Sequence, residues 1–239
     1  MLVALVVFGG AAYFAIPQPE LPEAAAAQRS TAEVAFAMED GRLRFLPTSG
    51  QPTTGLIIYP GGKVSAGAYA PLAQAIAAGG YLVEIVPMPL NLAALGIGRA
   101  TDVIEAHPEI RHWAIGGHSL GGAMAAQYAA DDARIEAIAL WASYSATDLS
   151  DRDLLVLVVY GSLDAGAPGF VSPDRLGNLP SNPTIKVIDG GNHEQMGWYI
   201  GQPNDPPATI SRAAQQERVV AATVDLLSRM NPGEPLPRQ

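Results

Sequence analysis

Residues 112–132 read HWAIGGHSLGGAMAAQYAADD and give the clearest indication of the fold. Its first part, HWAIGG, has the apolar pattern of a buried strand, and the rest is typical of a helix. Between them, Gly117 to Gly121 form the motif G-x-S-x-G. The glycines let strand and helix approach closely, so Ser119 is expected at a strained turn. A serine held there is a candidate nucleophile; the alternative is a plain turn with Ser119 as the helix N-cap.

Strand and helix patterns alternate on both sides of this motif. The runs EVAFAM and RLRFLP predict a hairpin that turns at Asp40-Gly41. The runs GLIIYP, YLVEIVP, IEAIALWAS, DLLVLVVYGS and TIKVIDGG predict buried strands, with helical patterns between most of them. This alternation indicates an α/β fold with a mostly parallel sheet covered by helices on both faces. The short connection between IEAIALWAS and DLLVLVVYGS leaves no room for a cap domain.

A serine hydroxyl is a poor nucleophile and needs a base, which one of four histidines would supply. His118 is disfavoured because neighbours on a sharp turn project apart. His107 precedes Pro108 at a helix end, and His112 opens a strand at its amino end. His193, in GGNHEQMG, follows the carboxyl end of a strand, which is where reactive groups lie in parallel sheets. His193 is therefore the predicted base.

The base in turn needs an acid that orients its ring. Asp164 follows the strand LLVLVVY in the segment GSLDAGAPG, and it is the favoured residue. Asp148, after the preceding strand, and Asp189, close to His193 in sequence, are rival candidates.

Two backbone amides are expected to bind the oxyanion of a tetrahedral intermediate. One is the N–H of Leu120, which lies at a helix N-terminus where negative charge is favoured. The other should come from the loop Gly61-Gly62-Lys63. Gly62 is favoured, with the N–H of Lys63 next. The Lys63 side chain either adds positive potential at the mouth of the site or is simply solvated.

The motifs YPGGKV, GGHSLGG, YGSLD and GGNHEQMGWYIGQ together resemble the α/β-hydrolase family. They are most similar to a small, capless, dienelactone-hydrolase-like and lipase-like bacterial subgroup, whose members often carry an N-terminal hydrophobic anchor. The resemblance implies an α/β-hydrolase fold and a triad of Ser119, Asp164 and His193. Two departures are visible: dienelactone hydrolases proper use cysteine, and the His-Gly usual in esterases is Pro60-Gly61 here.

These observations favour a serine hydrolase that cleaves carboxylic esters through an acyl-enzyme, without cofactor or metal. The substrate would be a small-molecule ester or a polymer end. An acyltransferase or perhydrolase with the same triad is an alternative, as is a non-catalytic, membrane-tethered binding module. Trp198 and Tyr199 follow the base directly and, with His118, are candidates to line the substrate site; Trp198 and Tyr199 are equally candidates for the core.

Composition excludes several other classes of function. The formal net charge is −9, and the 14 lysines and arginines form no cluster, which argues against nucleic-acid binding. The chain has no cysteine, which excludes disulfides, thiolate metal sites and a cysteine nucleophile.

The first sixteen residues, MLVALVVFGGAAYFAI, carry no charged side chain. This run predicts a membrane anchor or a signal-like segment, with a buried helix as the alternative. Residues 17–30 are interpreted as a Pro/Ala-rich linker, residues 31–230 as the catalytic domain and residues 231–239 as a tail. The protein is expected to be extracytoplasmic, and either membrane-anchored or secreted after cleavage. Removal of residues 1–26 is expected to leave a soluble, active protein.

Overall fold

The computed structural model describes residues 14–230, whose eight strands form one sheet. The strands are β1 (Val34–Glu39), β2 (Arg42–Pro47), β3 (Thr54–Tyr59), β4 (Leu82–Ile85), β5 (His112–His118), β6 (Ile135–Trp141), β7 (Leu155–Gly161) and β8 (Thr184–Ile188). Their order across the sheet is β1-β2-β4-β3-β5-β6-β7-β8. Strands β3 to β8 run parallel, whereas β1 and β2 are antiparallel to their neighbours. The mostly parallel sheet predicted from the sequence is confirmed.

Helices cover both faces of the sheet. They are α1 (Pro22–Ala27), α2 (Ala70–Ala78), α3 (Ala100–Ala106), α4 (Leu120–Asp131), α5 (Ala167–Phe170), α6 (Pro173–Gly177) and α7 (Arg212–Ser228). Helix α2 contacts α1 and α7 in one layer, and α4 packs on β3, β5 and β6. The predicted helical pattern before β5 proves to be short 3-10 turns followed by α3. As predicted, no cap domain interrupts the connection from β6 to β7.

The central strands are apolar because both of their faces are covered. All residues of β3 and β4 are buried, including Glu84. The two ends of the sheet are less protected: the hairpin turns at Asp40 and Gly41, which both have positive φ, and β8 exposes Ile185 and Val187. The hairpin turn predicted at Asp40-Gly41 is therefore confirmed, since this backbone conformation is the one that tight hairpins need.

The segment interpreted as a linker, residues 17–30, is instead packed on the domain. It contains helix α1, whose Ala24 and Ala27 are buried against α2. Glu20 forms an antiparallel bridge with Tyr199. Alanine-rich sequence suits a linker and a close helix contact equally, because its small side chains let two helices approach. Removal of residues 1–26 would take these contacts away, and whether the truncated protein stays soluble and active remains a prediction for experiment.

Most of the predicted anchor, residues 1–13, and the predicted tail, residues 231–239, lie outside the described residues. In the part of the chain from 14 to 230, none of the helices combines the length and the apolar character that a membrane span requires. The last described residues lie at the amino ends of the strands, where the Arg229 guanidinium donates to the Thr184 hydroxyl at the start of β8 (3.0 Å).

Candidate active site

Ser119 lies between β5 and α4 in a strained backbone conformation. Its φ of 53° and ψ of −122° fall outside the regions that L-residues favour. The strand and helix approach so closely that a Cβ added at Gly121 would lie 2.1 Å from the Tyr59 carbonyl oxygen, and one added at Gly117 2.4 Å from it. Only glycine fits at these two positions. The tight turn expected from the motif is present.

His193 and Asp164 form a hydrogen-bonded pair at the carboxyl ends of the parallel strands, where the turn at Ser119 also lies. The Nδ1 atom of His193 lies 2.8 Å from Oδ2 of Asp164. The carboxyl group is buried, with 5% of the residue exposed, and its other oxygen accepts the N–H of Gly166 at 2.8 Å. With Nδ1 engaged by the carboxylate, Nε2 is the ring nitrogen that remains to accept a proton.

The rival acids and histidines lie elsewhere. Asp148 accepts hydrogen bonds from Ser150 on the surface, and Asp189 accepts one from Ser162. Neither contacts the His193 ring among the described residues. Near the amino ends of the strands, His107 pairs with Glu84 and Glu109, and His112 pairs with Glu136.

His118 lies beside the base but is not oriented as a base itself. Its ring centroid is 4.4 Å from that of His193, and only 1% of the residue is exposed. Its Nδ1 atom lies 2.8 Å from the Tyr69 hydroxyl, which also accepts the N–H of Gly61 at 3.0 Å. Burial lowers the pKa of His118 well below its usual value, and the neighbouring His193 lowers it further. His118 is therefore a neutral packing partner of the base.

The loop that carries Gly62, one of the two expected oxyanion donors, lies close to the side chain of Leu120, the other. A Cβ added at Gly62 would meet only side-chain atoms within 4 Å, the nearest being Leu120 Cδ2 at 3.5 Å. Among the described residues, no protein acceptor takes the N–H of Gly62 or of Leu120. The N–H of Lys63 is different, since it donates to the Asn91 carbonyl at 2.9 Å. The second-ranked donor, Lys63, is thus already committed, and Gly62 is the candidate that remains.

The loop that carries His193 is fixed by a second carboxylate, which the sequence did not single out. Asp205 accepts the N–H of His193 at 3.2 Å and that of Glu194 at 2.8 Å. Burial raises the pKa of Asp205, and these two N–H groups oppose that shift. The Gln215 side chain binds both N–H and C=O of Asn192, immediately before the base. His193, the predicted base, is thus held through its backbone as well as through Asp164.

Arg212 and Glu194 stabilise the same loop through an ion pair and hydrogen bonds to its backbone. The guanidinium lies 3.0 Å from Oε1 of Glu194, and Oε2 of Glu194 accepts the N–H groups of Gly201 and Gln202. Arg212 also donates to the carbonyls of Glu194 and Gly197. Nothing in the local pattern around Asp205 or Arg212 distinguishes them from surface residues, because their role depends on how the loop folds back.

Two of the three residues proposed to line the substrate site are core residues. Tyr199 is fully buried, and its ring centroid lies 6.2 Å from that of His118. His118 is equally inaccessible, so neither presents a surface to substrate. Trp198 is partly exposed, and its backbone N–H donates to the Ala68 carbonyl at 2.7 Å. The aromatic pair after the base therefore serves mainly to pack the loop.

Comparison with known proteins identifies the family. A model described as the alpha/beta hydrolase family matches residues 55–217. The chain belongs to the α/β-hydrolase family. The matched residues of this α/β hydrolase include Ser119, Asp164 and His193, whereas the N-terminal segment up to residue 54 lies outside them. No curated protein matches this α/β hydrolase.

Solved structures share the fold of this α/β hydrolase. A predicted CIB-like hydrolase of Thermoplasma acidophilum aligns with a TM-score of 0.60 and 16% identity, covering 82% of this chain and 99% of the other. A thermophilic esterase of Thermogutta terrifontis aligns with a TM-score of 0.56 and 12% identity, covering 85% and 95%. A ferulic acid esterase of Streptomyces cinnamoneus aligns with a TM-score of 0.56 and 18% identity, covering 79% and 70%. At these identities the likeness is one of fold.

Proposed function

We propose that this α/β hydrolase is a serine carboxylic-ester hydrolase with Ser119 as nucleophile, His193 as base and Asp164 as acid. The observation that carries the proposal is the 2.8 Å bond between His193 Nδ1 and the buried Asp164 carboxylate, with the His193 ring packed 4.4 Å from that of His118, the residue before the strained turn at Ser119. Two of the structural neighbours are described as esterases, which supports the same reaction class.

In the proposed reaction, Ser119 Oγ attacks the ester carbonyl carbon while Nε2 of His193 takes the hydroxyl proton. Asp164 stabilises the imidazolium that forms. The N–H groups of Leu120 and Gly62 bind the oxyanion of the tetrahedral intermediate. The intermediate collapses, and the alcohol leaves with the proton from His193. Water then attacks the acyl-enzyme by the same route and releases the acid.

A fluorophosphonate probe tests this proposal, because it reacts only with an activated serine. We expect the native protein to be labelled at Ser119 and the Ser119→Ala variant not to be labelled. Boiling should abolish labelling. A panel of p-nitrophenyl esters of increasing acyl length, measured in parallel, should show hydrolysis that Ser119→Ala loses by several orders of magnitude. A protein that is not labelled would instead be a binding module.

The ester assay also separates hydrolysis from acyl transfer. If the enzyme transfers acyl groups, the unlabelled native protein should release p-nitrophenol faster when a primary alcohol is added, and the product should be the new ester. If it is a hydrolase, the free acid should be the main product at every alcohol concentration. We propose the second outcome.

We also propose that the apolar N-terminal run holds the protein at the outer side of a membrane. Support comes from the uncharged sequence of residues 1–13 alone. Fractionation of expressing cells tests it: the full chain should sediment with membranes and be released by detergent, while a chain lacking residues 1–13 should stay in the supernatant. Full-length protein in the supernatant would contradict it.

A further inference from the structure

Residues 14–21, here called the N-terminal strap, lie against both loops that carry the proposed catalytic groups. On the oxyanion side, the N–H of Gln18 donates to the carbonyl of Lys63 at 2.8 Å. The side-chain amide of Asn91 donates to the carbonyls of Phe14 and Ala15, at 3.1 and 3.3 Å. The strap thus reaches the loop next to Gly62 by two independent routes.

The same strap also pairs with the loop that follows the base. Its Pro19 carbonyl accepts the N–H of Ile200 at 3.0 Å, and its Leu21 N–H donates to the carbonyl of Trp198 at 3.0 Å. The Gln18 side-chain amide donates to the carbonyl of Gly201 at 2.9 Å. A single short segment therefore spans the distance between the two loops.

Lys63 shows why this contact matters for the oxyanion donor. Its φ of 62° is a left-handed conformation, which is unfavourable for a residue with a side chain. It persists because its peptide groups are held on both sides: its N–H binds the Asn91 carbonyl, and its C=O binds the Gln18 N–H. This conformation sets the direction of the peptide between Gly62 and Lys63. The N–H of Val64 donates to the Gly61 carbonyl at 3.1 Å and closes the turn, so the preceding peptide, which carries the Gly62 N–H, is held within the same anchored turn.

We infer that the N-terminal strap is a positioning element of the active site, which fixes the Gly62 oxyanion donor relative to the His193 loop. The inference rests on the proposed function and extends it to residues outside the region that the family model matches. Pro17 and Pro19 flank Gln18 and have no N–H, so Gln18 supplies the bond to Lys63 while the prolines limit the conformations of the strap.

The test compares Gln18→Pro with Gln18→Ala in the full chain. A residue before a proline already prefers extended backbone, so proline is compatible with position 18. Gln18→Pro removes the N–H that binds Lys63, whereas Gln18→Ala keeps it and removes only the exposed side-chain bond to Gly201. Alanine is therefore the matched control.

We expect Gln18→Pro to lower kcat for p-nitrophenyl acetate about tenfold, with KM changed less than about twofold, because an oxyanion donor acts only in the transition state. The affinity for a trifluoromethyl ketone, which mimics the tetrahedral intermediate, should fall by the same factor as kcat/KM. Gln18→Ala should stay within about twofold of the native enzyme in both measurements.

Asn91→Asp supplies a second variant in case Gln18→Pro does not fold. Aspartate tolerates the left-handed backbone of Asn91, where φ is 54°, but it offers no donor to Phe14 and Ala15. It should reproduce the loss of kcat and of inhibitor affinity. Equal kcat in Gln18→Pro and Gln18→Ala, or a change in KM alone, would overturn the positioning role while leaving the labelling of Ser119 intact. A native enzyme that is neither labelled nor active would overturn both proposals.

Discussion

The Tyr69 hydroxyl and the Nδ1 atom of His118 share a buried hydrogen bond of 2.8 Å. The same hydroxyl accepts the N–H of Gly61, so its own proton is directed to Nδ1. Burial lowers the pKa of His118 well below its usual value, and in the neutral tautomer that carries its proton on Nε2, the Nδ1 atom accepts this proton. The pair therefore links the first residue of the oxyanion loop to the ring that packs on the base.

Replacing Tyr69 by phenylalanine should lower kcat about tenfold, because Gly61 then has an unpaired N–H and its loop loses an anchor. KM should change little. His118→Leu should have a similar effect, and the double variant should be no worse than either single one, since both remove the same link. His118→Asn, which keeps an acceptor near the position of Nδ1, should retain more activity than His118→Leu. Additive losses in the double variant would contradict the link.

The dependence of kcat/KM on pH should show a single acid limb that belongs to His193. Activity should rise with pH because only the neutral imidazole accepts the Ser119 proton. His118→Ala should keep the limb, since burial holds the pKa of His118 well below its usual value. His193→Ala should lose the limb together with nearly all turnover. If the acid limb disappears in His118→Ala, the assignment of His193 as the base is wrong.

Stability should decrease as pH rises, through the buried pair of His107 and Glu84. Their hydrogen bond of 2.7 Å raises the pKa of His107 above that of the unfolded chain. Its stabilisation is complete below the unfolded value of about 6.5 and is lost as pH rises through the raised value. Urea unfolding at several pH values should show this slope in the native protein but not in His107→Gln.

At pH 6, His107→Gln should be less stable by about 2 kcal/mol, as expected for a buried hydrogen bond to a charged group. His112→Gln is the matched control, because its partner Glu136 is exposed and such pairs contribute little. An equal loss in both variants would show that burial of the His107 pair has no special effect.

Two truncations should distinguish the contribution of residues 1–13 to stability and activity from that of the strap. A chain that starts at residue 14 should keep the thermal midpoint and kcat of the full protein. A chain that starts at residue 27 loses the strap and nearly all of α1, and it should unfold at a lower temperature and turn over at least about tenfold more slowly. Calorimetry and ester hydrolysis measure both. Full activity from residue 27 would restore the interpretation of this segment as a linker.

The tight turn at Ser119 and the proximity of His193 to Asp164 could be predicted because each residue follows the carboxyl end of a strand that its apolar pattern makes recognisable. The prediction of Ser119, Asp164 and His193 as site residues required only the direction of the strands and the chemistry of a nucleophile. The choice between Gly62 and Lys63 needed the structure, since it depends on which N–H the Asn91 carbonyl takes. Tyr69 and Asp205 act through contacts distant in sequence, and a tyrosine or aspartate in a loop has no local pattern that reveals such contacts. The strap was missed because proline and alanine suit an extended tether and an extended, packed segment equally well.

The positions of the two described ends determine how the enzyme presents itself to any surface. Residue 14 lies near the carboxyl ends of the strands, where Ser119 and His193 lie. Arg229 lies at the amino ends, beside Thr184. A surface joined to the protein directly at residue 14 would therefore face the end of the sheet that carries Ser119, and substrate held on that surface would start close to the proposed nucleophile. A surface joined at residue 230 would lie behind the sheet and leave Ser119 directed at bulk solvent.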